Sequence, residues 1–268
     1  MRHRPRDGYG NIAKESQYRT RLYDYVDLNV SRPAEYRRVA ILDTTEALEA
    51  AHLLKRGYSA DRIWVANNAV TPRRAAAFKA VFTKSLRRHG FDNRCHVHPG
   101  ADLLEVVREG ANGYGFDVIN YDSCGPIGGG RWLRHLIDLK ESLLPGGVFC
   151  ITIQAGRESR TIQQSMMRLL EQYVGYSDSV VRAGERLHEA RRAIITLAMN
   201  EGWSHISRID SPMWVQYVGS RVPMLAGFFR IAKGEGTNTT WDYWNRLSHA
   251  MKAFDASRDP IELLDNAA

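Results

Sequence analysis

The sequence predicts a doubly wound α/β protein, with a mostly parallel sheet of seven strands that ends in a C-terminal antiparallel hairpin. From residue 38 onward, short apolar runs alternate with amphipathic segments long enough to be helices, a pattern typical of parallel sheets. Within it, residues 116–153 form a strand, a loop, a helix, a Pro-Gly-Gly turn and a strand. Two apolar runs, 213–220 and 223–231, are too close for a crossover, so we expect them to pair antiparallel.

Local signals support each predicted element in turn. Residues 44–46 are suited to cap and begin the first helix, and Gly57 is suited to end it. Thr71 and Pro72 have the residue types of an N-cap and a first helical position, so they begin a longer helix. The predicted strands are 39–43, 62–68, 95–98, 116–122 and, after the Pro-Gly-Gly turn at 145–147, 148–153. The predicted helices are 47–56, 71–90 and 101–109.

The pattern divides the chain into three regions. Residues 1–37 are a basic, tyrosine-rich segment, 38–233 are the α/β domain with a helical insertion or lid at 161–201, and 234–268 are a helical tail. Basic residues interleaved with tyrosines suit an arm that contacts phosphates and stacks on bases. They equally suit a flap that packs its tyrosines on the next domain, and we favour the flap.

The composition indicates the cellular compartment of the protein and the charge of its partners. The net charge is +7 and the isoelectric point is near 9.4, with 30 Arg against 7 Lys, which favours an anionic partner. A GC-rich genome would also replace Lys by Arg. There is no apolar run of the roughly 18 residues that would span a bilayer, no secretory signal, and the three cysteines fit no disulfide framework. We therefore expect a cytoplasmic protein without a membrane partner.

Polar side chains follow several predicted strands. Asp43, Asn67 and Asn68 end the first two strands, and Asp122 ends the fourth. Parallel sheets form ligand sites at the carboxyl ends of their strands, so we expect a site at this edge. His96 and His98 share a strand face, but without a third ligand nearby we expect no metal site.

The five strand-helix units, the Pro-Gly-Gly turn and the closing hairpin together resemble the class I, Rossmann-like S-adenosylmethionine-dependent methyltransferases, over about residues 38–233. The resemblance implies S-adenosylmethionine as cofactor. It implies that Asp43 lies near the methionine end of the cofactor, Asn67 or Asn68 at its ribose, and Asp102 beside its adenine. The other implied cofactor contacts are Thr44, Thr45, Leu103 and Tyr121.

The first loop departs from the family pattern. The family has a glycine-rich turn after the first strand, which lets the backbone approach the cofactor, but residues 43–47 contain no glycine. The hydroxyls of Thr44 and Thr45 and the helix N-terminus are alternative partners for a carboxylate. The pocket is therefore either remodelled or lost, and a non-catalytic binding or assembly module is a second hypothesis.

The implied catalytic motif is Asp122-Ser123-Cys124 followed by Gly125 and Pro126. In similar amino-group methyltransferases of nucleic acids, the acid accepts a hydrogen bond from the target amine, so catalysis is mostly positioning. We therefore expect methylation of an exocyclic amine of a base, with RNA favoured over DNA. A small molecule or a protein remains an alternative substrate. Cys124 also permits thiolate chemistry, but we favour a small residue in a tight turn.

Overall fold

The computed structural model describes residues 18–68, 70–110, 114–122, 142–154, 207–209, 213–219 and 222–233, and the helical positions 136, 138–139, 163, 191–192 and 195–196. The predicted helical tail 234–268, most of the predicted insertion 161–201 and residues 1–17 lie outside this range. So do Ser123 and Cys124, the second and third residues of the implied catalytic motif. No helix in the described part of the chain is both long and apolar enough to cross a membrane.

Four α-helices and eight strands have bounds within the described residues. The helices are α1 Thr20–Asn29, α2 Leu48–Lys55, α3 Ala75–Arg88 and α4 Leu103–Gly110. The strands are β1 Val39–Leu42, β2 Ile63–Asn67, β3 His96–Pro99, β4 Phe116–Asp122, β5 Leu143–Gln154, β6 Ser207–Ile209, β7 Met213–Gly219 and β8 Val222–Lys233.

The sheet confirms the predicted fold class. Its order is β3-β2-β1-β4-β5-β8-β6, and β7 also pairs with β8. The pairs among β1 to β5 are parallel, whereas β8 is antiparallel to β5, β6 and β7. Seven positions were predicted, and β6 is the additional strand. It is only three residues long, and it pairs with the stretch of β8 next to the one that pairs with β7.

One predicted helix boundary shifts for a local reason, and another is confirmed. The chain forms a 3-10 turn at Pro72–Arg74 before α3, in which the amide of Arg74 donates to the carbonyl of Thr71 at 2.8 Å. The α-helix therefore begins three residues after Pro72. At the end of α2 the prediction holds, because Gly57 adopts a φ of +85°, the left-handed conformation that ends helices.

The Pro-Gly-Gly sequence lies inside β5, not before it. The pairing of β4 with β5 jumps from Phe116 opposite Leu143 to Val118 opposite Val148, so the three residues form a bulge in the strand. A Cβ atom at Gly147 would lie 2.8 Å from the carbonyl oxygen of Asp117. Glycine is therefore required for the close approach of these two strands.

Apolar side chains cover both faces of the sheet. Along β1, Ala40 points to one face, while Val39 and Ile41 point to the other, as the two-residue period of a strand requires. Helix α4 packs on the first face through Val106 and Val107. Helices α1, α2 and α3 pack on the second. The sheet is therefore buried on both sides, as parallel sheets are.

The described part of the N-terminal segment packs onto the sheet. Tyr18 and Tyr23 are fully buried, and Tyr18 stacks on Tyr217 of β7 with 5.5 Å between the ring centroids. Residues 18–37 therefore form a flap, the alternative that we favoured over a nucleic-acid arm.

A buried carboxylate joins the flap, α2 and β4. One oxygen of Glu49 accepts a hydrogen bond from the guanidinium of Arg19. The other accepts from the Tyr23 hydroxyl at 2.7 Å and from the Asn120 amide at 3.0 Å. The Tyr18 hydroxyl donates to Asn120 at 2.5 Å. Arg19 and Glu49 are only 1% and 3% exposed, so each charge depends on the other for compensation.

We expect Glu49→Ala to lower the free energy of unfolding by about 3–5 kcal/mol, because it leaves the Arg19 charge buried without its partner. Urea denaturation followed by circular dichroism measures the change. Glu35→Ala is the control, since Glu35 is an exposed acid of the same flap and should change stability by no more than about 0.5 kcal/mol. Similar losses in the two variants would contradict the structural importance of the buried pair.

Candidate functional site

A cavity of about 610 Å³ opens at the carboxyl ends of β1, β2 and β4. It lies beside the point where the strand order reverses, since β1 has β2 on one side and β4 on the other. Ligands of open α/β sheets bind at this position. The cavity brings together all eight predicted cofactor residues and the acid of the catalytic motif: Asp43, Thr44, Thr45, Asn67, Asn68, Asp102, Leu103, Tyr121 and Asp122.

Asp43 directs its carboxylate toward its own loop. Its two oxygens accept hydrogen bonds from the backbone amides of Thr44, at 2.8 Å, and Ala50, at 2.9 Å. The residue is 2% exposed, and its pKa is raised to about 7: burial is the main cause, the charge of Glu49 adds to the rise, and the two amides oppose it. Asp43 therefore ties the end of β1 to the first turn of α2.

The loop between β1 and α2 includes a left-handed backbone conformation at a residue other than glycine. Ala47, directly before α2, has a φ of +55°, a region in which non-glycine residues are uncommon. The hydroxyl oxygen of Thr44 accepts a hydrogen bond from the amide of Glu46 at 3.3 Å. Polar contacts within the loop thus support a turn that the family makes with glycine.

The ends of β1, β2 and β3 are tied to one another. The side-chain amide of Asn67 donates to the carbonyl of Asp43 at 2.7 Å. The amide of Gly100 donates to the carbonyl of Asn67, also at 2.7 Å. Gly100 has a φ of +85°, and a Cβ atom there would lie 2.9 Å from the carbonyl oxygen of Val70. These contacts fix the cavity wall between the first and third strands.

Asp102 caps the helix that borders the cavity. Its carboxylate accepts from the amide of Leu104 at 2.9 Å, and Glu105 accepts from the amide of Asp102 at 3.0 Å. These reciprocal bonds form a capping box at the start of α4. Burial raises the pKa of Tyr121 to about 12, and the charge of Asp102 adds to the rise. Tyr121 is therefore a neutral hydroxyl on the cavity wall at physiological pH.

Asp122 lies at the end of β4 and is 4% exposed. Its charge contributes to raising the pKa of Tyr18 and of Cys150, after the larger effect of burial on both groups. The acid therefore lies at the junction between the cavity and the buried polar cluster of the flap.

Sequence reasoning missed five residues of the lining: Leu42, Ala66, Val70, Arg74 and Phe78. Arg74 and Phe78 belong to the start of the second predicted helix, 71–90, whose apolar spacing puts Phe78 on the buried face. That spacing predicts which face of the helix is buried, but not which loops lie beside the helix. No sequence signal therefore assigned either residue to the site.

The described lining carries three carboxyl groups, those of Asp43, Asp102 and Asp122, and one guanidinium, that of Arg74. Acidic side chains favour ligands with positive charge or with hydroxyl donors, and they disfavour phosphate groups. The described residues contain no group of three His, Cys, Asp or Glu side chains that would hold a metal ion. His96 instead stacks on Trp64, and His98 pairs with Glu109.

No family model and no curated protein matches the chain. Among solved structures, a Bacillus cereus O-methyltransferase in complex with SAH is 14% identical, covering 80% of this chain and 90% of its own, with a TM-score of 0.43. The O-methyltransferase TomG from Streptomyces achromogenes, in complex with SAM, is 16% identical over 82% and 89% of the two chains (TM-score 0.44). An rRNA methylase from Streptococcus thermophilus is 11% identical over 79% and 94% (TM-score 0.39).

The fold class follows from the strand order, with five parallel strands, a reversal between β1 and β4, and the antiparallel β8 inserted beside β5. This is a doubly wound, Rossmann-like α/β fold with antiparallel C-terminal strands.

The raised pKa of Asp43 predicts a pH dependence of stability. Because the folded-state pKa lies above the unfolded value, this group's contribution to stability is complete below about pH 4 and is lost as the pH rises through about 7. We expect the free energy of unfolding of the wild type to fall between pH 4 and pH 8 by up to about 4 kcal/mol more than that of Asp43→Asn.

Urea denaturation across this pH range measures the difference. Subtracting the two curves removes the titration of all other groups, so parallel curves for the two proteins would show that Asp43 does not titrate with a raised pKa.

Proposed function

We propose that this protein is an S-adenosylmethionine-dependent methyltransferase. The main support is the acidic cavity at the reversal point of the sheet, where the fold class has its cofactor site. Its lining of carboxylates, amides and hydroxyls suits a cationic nucleoside better than a phosphorylated nucleotide. The volume of about 610 Å³ is within the usual range for small-molecule and cofactor sites.

The side chains of the cavity suit each part of this cofactor. S-adenosylmethionine, when bound, supplies a methyl group carried on a positively charged sulfur. In our proposal the hydroxyls of Thr44 and Thr45 hold the carboxylate of its amino-acid end, and Asn67 and Asn68 hold the ribose hydroxyls. Asp102, with Leu103 and Tyr121, borders the adenine. Asp43 acts indirectly, since its carboxylate shapes the loop near the methionine end.

Asp122 is the proposed acceptor for the substrate. A buried carboxylate at the end of β4 can accept a hydrogen bond from an amine, which orients the nitrogen lone pair away from the carboxylate and holds the amine for reaction. Ser123 and Cys124 complete the proposed catalytic turn on sequence grounds alone. The basic charge of the chain favours a nucleic acid as substrate, with an exocyclic amine of an RNA base as the preferred target.

The shape of the cavity counts against a non-catalytic module. In a module that no longer binds the cofactor, we would expect side chains to fill the cleft. The candidates are Thr44, Thr45 and Trp64, on the first loop and the second strand. Thr44 and Thr45 instead line an open cavity. Trp64 packs against His96 and Phe116, outside the cavity lining.

Isothermal titration calorimetry with S-adenosylmethionine and S-adenosylhomocysteine tests cofactor binding directly. We expect both to bind. If neither ligand gives heat of binding at millimolar concentration, the proposal is overturned. Transfer of a radioactive methyl group to RNA, DNA or small-molecule amines then separates the substrate classes. Transfer only to small molecules would reject the nucleic-acid substrate but not the methyltransferase.

We expect Asp122→Asn to lower the rate of methyl transfer by about 100-fold or more, because a neutral amide positions an amine less well. The dissociation constant for S-adenosylmethionine should change by no more than about three-fold, since the proposed role concerns the substrate. Asp92→Asn is the control, because Asp92 is an exposed acid. Wild-type transfer by Asp122→Asn would remove this residue from the proposed site.

A further inference from the structure

Helix α3 and the turn before it carry an unusual concentration of positive charge. The stretch from 71 to 91 contains six arginines and lysines and no acidic residue. All six side chains are exposed, and none of them makes an ion pair with another residue of the described structure. The six residues are Arg73, Arg74, Lys79, Lys84, Arg87 and Arg88. We refer to them as the α3 basic surface.

Three arginines of the N-terminal flap differ in this respect. Arg19, Arg32 and Arg37 pair with Glu49, Asp117 and Asp27, respectively. These arginines therefore stabilise the fold, and their charges are neutralised locally. The positive charge on the α3 basic surface has no such internal use, so it is available to an anionic partner.

The geometry of α3 suits an extended polyanion. Phe78, Phe82 and Leu86 are buried against the sheet, and with 3.6 residues per turn Lys84 and Arg88 lie one turn apart on the opposite side. The 14 residues of α3 extend over about 20 Å. Positive charges therefore recur along the length of the helix.

The same surface leads to the candidate site. Arg74 belongs both to the α3 basic surface and to the cavity lining, as the start of the helix borders the cavity. A polyanion that lies along α3 would therefore pass the mouth of the acidic cavity. The cavity repels phosphates but accepts neutral or cationic groups, so a base is the part of a nucleic acid suited to enter it.

We propose that the α3 basic surface binds the phosphate backbone of the nucleic-acid substrate, and that the target base reaches the cavity from there. This inference rests on the proposed function for its substrate class. Phosphate contacts from arginine and lysine position a nucleic acid without reading its sequence. An acidic protein partner fits less well, because protein interfaces are usually built around buried apolar and aromatic anchors. On α3 the only large apolar side chain that is exposed is Val81, at 47%.

Fluorescence anisotropy with a labelled, mixed-sequence single-stranded RNA tests the proposal. The test variant is Arg87→Glu/Arg88→Glu, which leaves the cavity lining unchanged. The matched control is Arg21→Glu/Lys55→Glu, two exposed cations of α1 and α2 whose reversal alters the net charge equally. Thermal unfolding of all three proteins checks the fold, and Arg87→Gln/Arg88→Gln is a milder variant should the reversal destabilise the protein.

We expect the α3 variant to lose about ten-fold or more in RNA affinity at physiological salt. The slope of log affinity against log salt should fall by about 1.4 in the glutamine variant, as expected for the loss of two phosphate contacts to a single strand. The control should retain most of its affinity. Equal losses in the two reversal variants, or no RNA binding by the wild type, would overturn the inference. If poly-glutamate competes as effectively as unlabelled RNA, an acidic protein partner is favoured and the inference is again overturned.

Calorimetry with S-adenosylmethionine on the same proteins separates this inference from the proposed function. If the α3 variant loses RNA but retains S-adenosylmethionine, both proposals stand. RNA binding through α3 without S-adenosylmethionine binding by the wild type supports the surface and rejects the methyltransferase. S-adenosylmethionine binding without RNA binding supports the methyltransferase and rejects the surface.

Discussion

The buried carboxylate of Glu49 is the contact on which the geometry of the site depends. It receives hydrogen bonds from Arg19 and Tyr23 in the flap and from Asn120 on β4. A charge in this environment is tolerated only when its partner is present and its lone pairs are occupied, so these groups must take up one arrangement together. That arrangement fixes α2, which carries Glu49, and with α2 the loop that lines the cavity.

The same principle explains how the loop between β1 and α2 forms without glycine. Asp43 uses its carboxylate to hold the amides of Thr44 and Ala50, and Ala47 accepts a left-handed conformation. Strained backbone conformations persist where the surrounding contacts determine them. Here those contacts come from Asp43 and from the burial of Ala47 in the core. The cavity is therefore open even though the loop contains no glycine.

Charge is distributed unevenly over the molecule. Arg19, Arg32 and Arg37 of the flap are neutralised by ion pairs within the fold. The cavity lining is mainly acidic, and six exposed cations without an ion pair in the described structure are concentrated on α3 and the turn before it. A basic surface beside an acidic cavity can attract a polyanion while it excludes the phosphates themselves from the cavity. The location of the positive charges beside the cavity, and not the net charge alone, is therefore what suits the protein to a polyanionic partner.

The sequence by itself determined the alternation of strands and helices, their approximate bounds and the set of polar residues at the strand ends, because periodicity, caps and turns are local signals. The strand-end positions predicted that Asp43, Asn67, Asn68 and Asp122 meet at one edge of the sheet, and the family resemblance added the other predicted residues of the lining. Only the tertiary structure decided that Asp43 bonds its own loop, that the Pro-Gly-Gly sequence is a bulge in β5, and that Arg74 borders the cavity. It also distinguished the paired arginines of the flap from the unpaired cations of α3. These outcomes depend on partners far apart in the chain, such as Arg19 and Glu49 or Arg32 and Asp117, and no local pattern specifies such pairs.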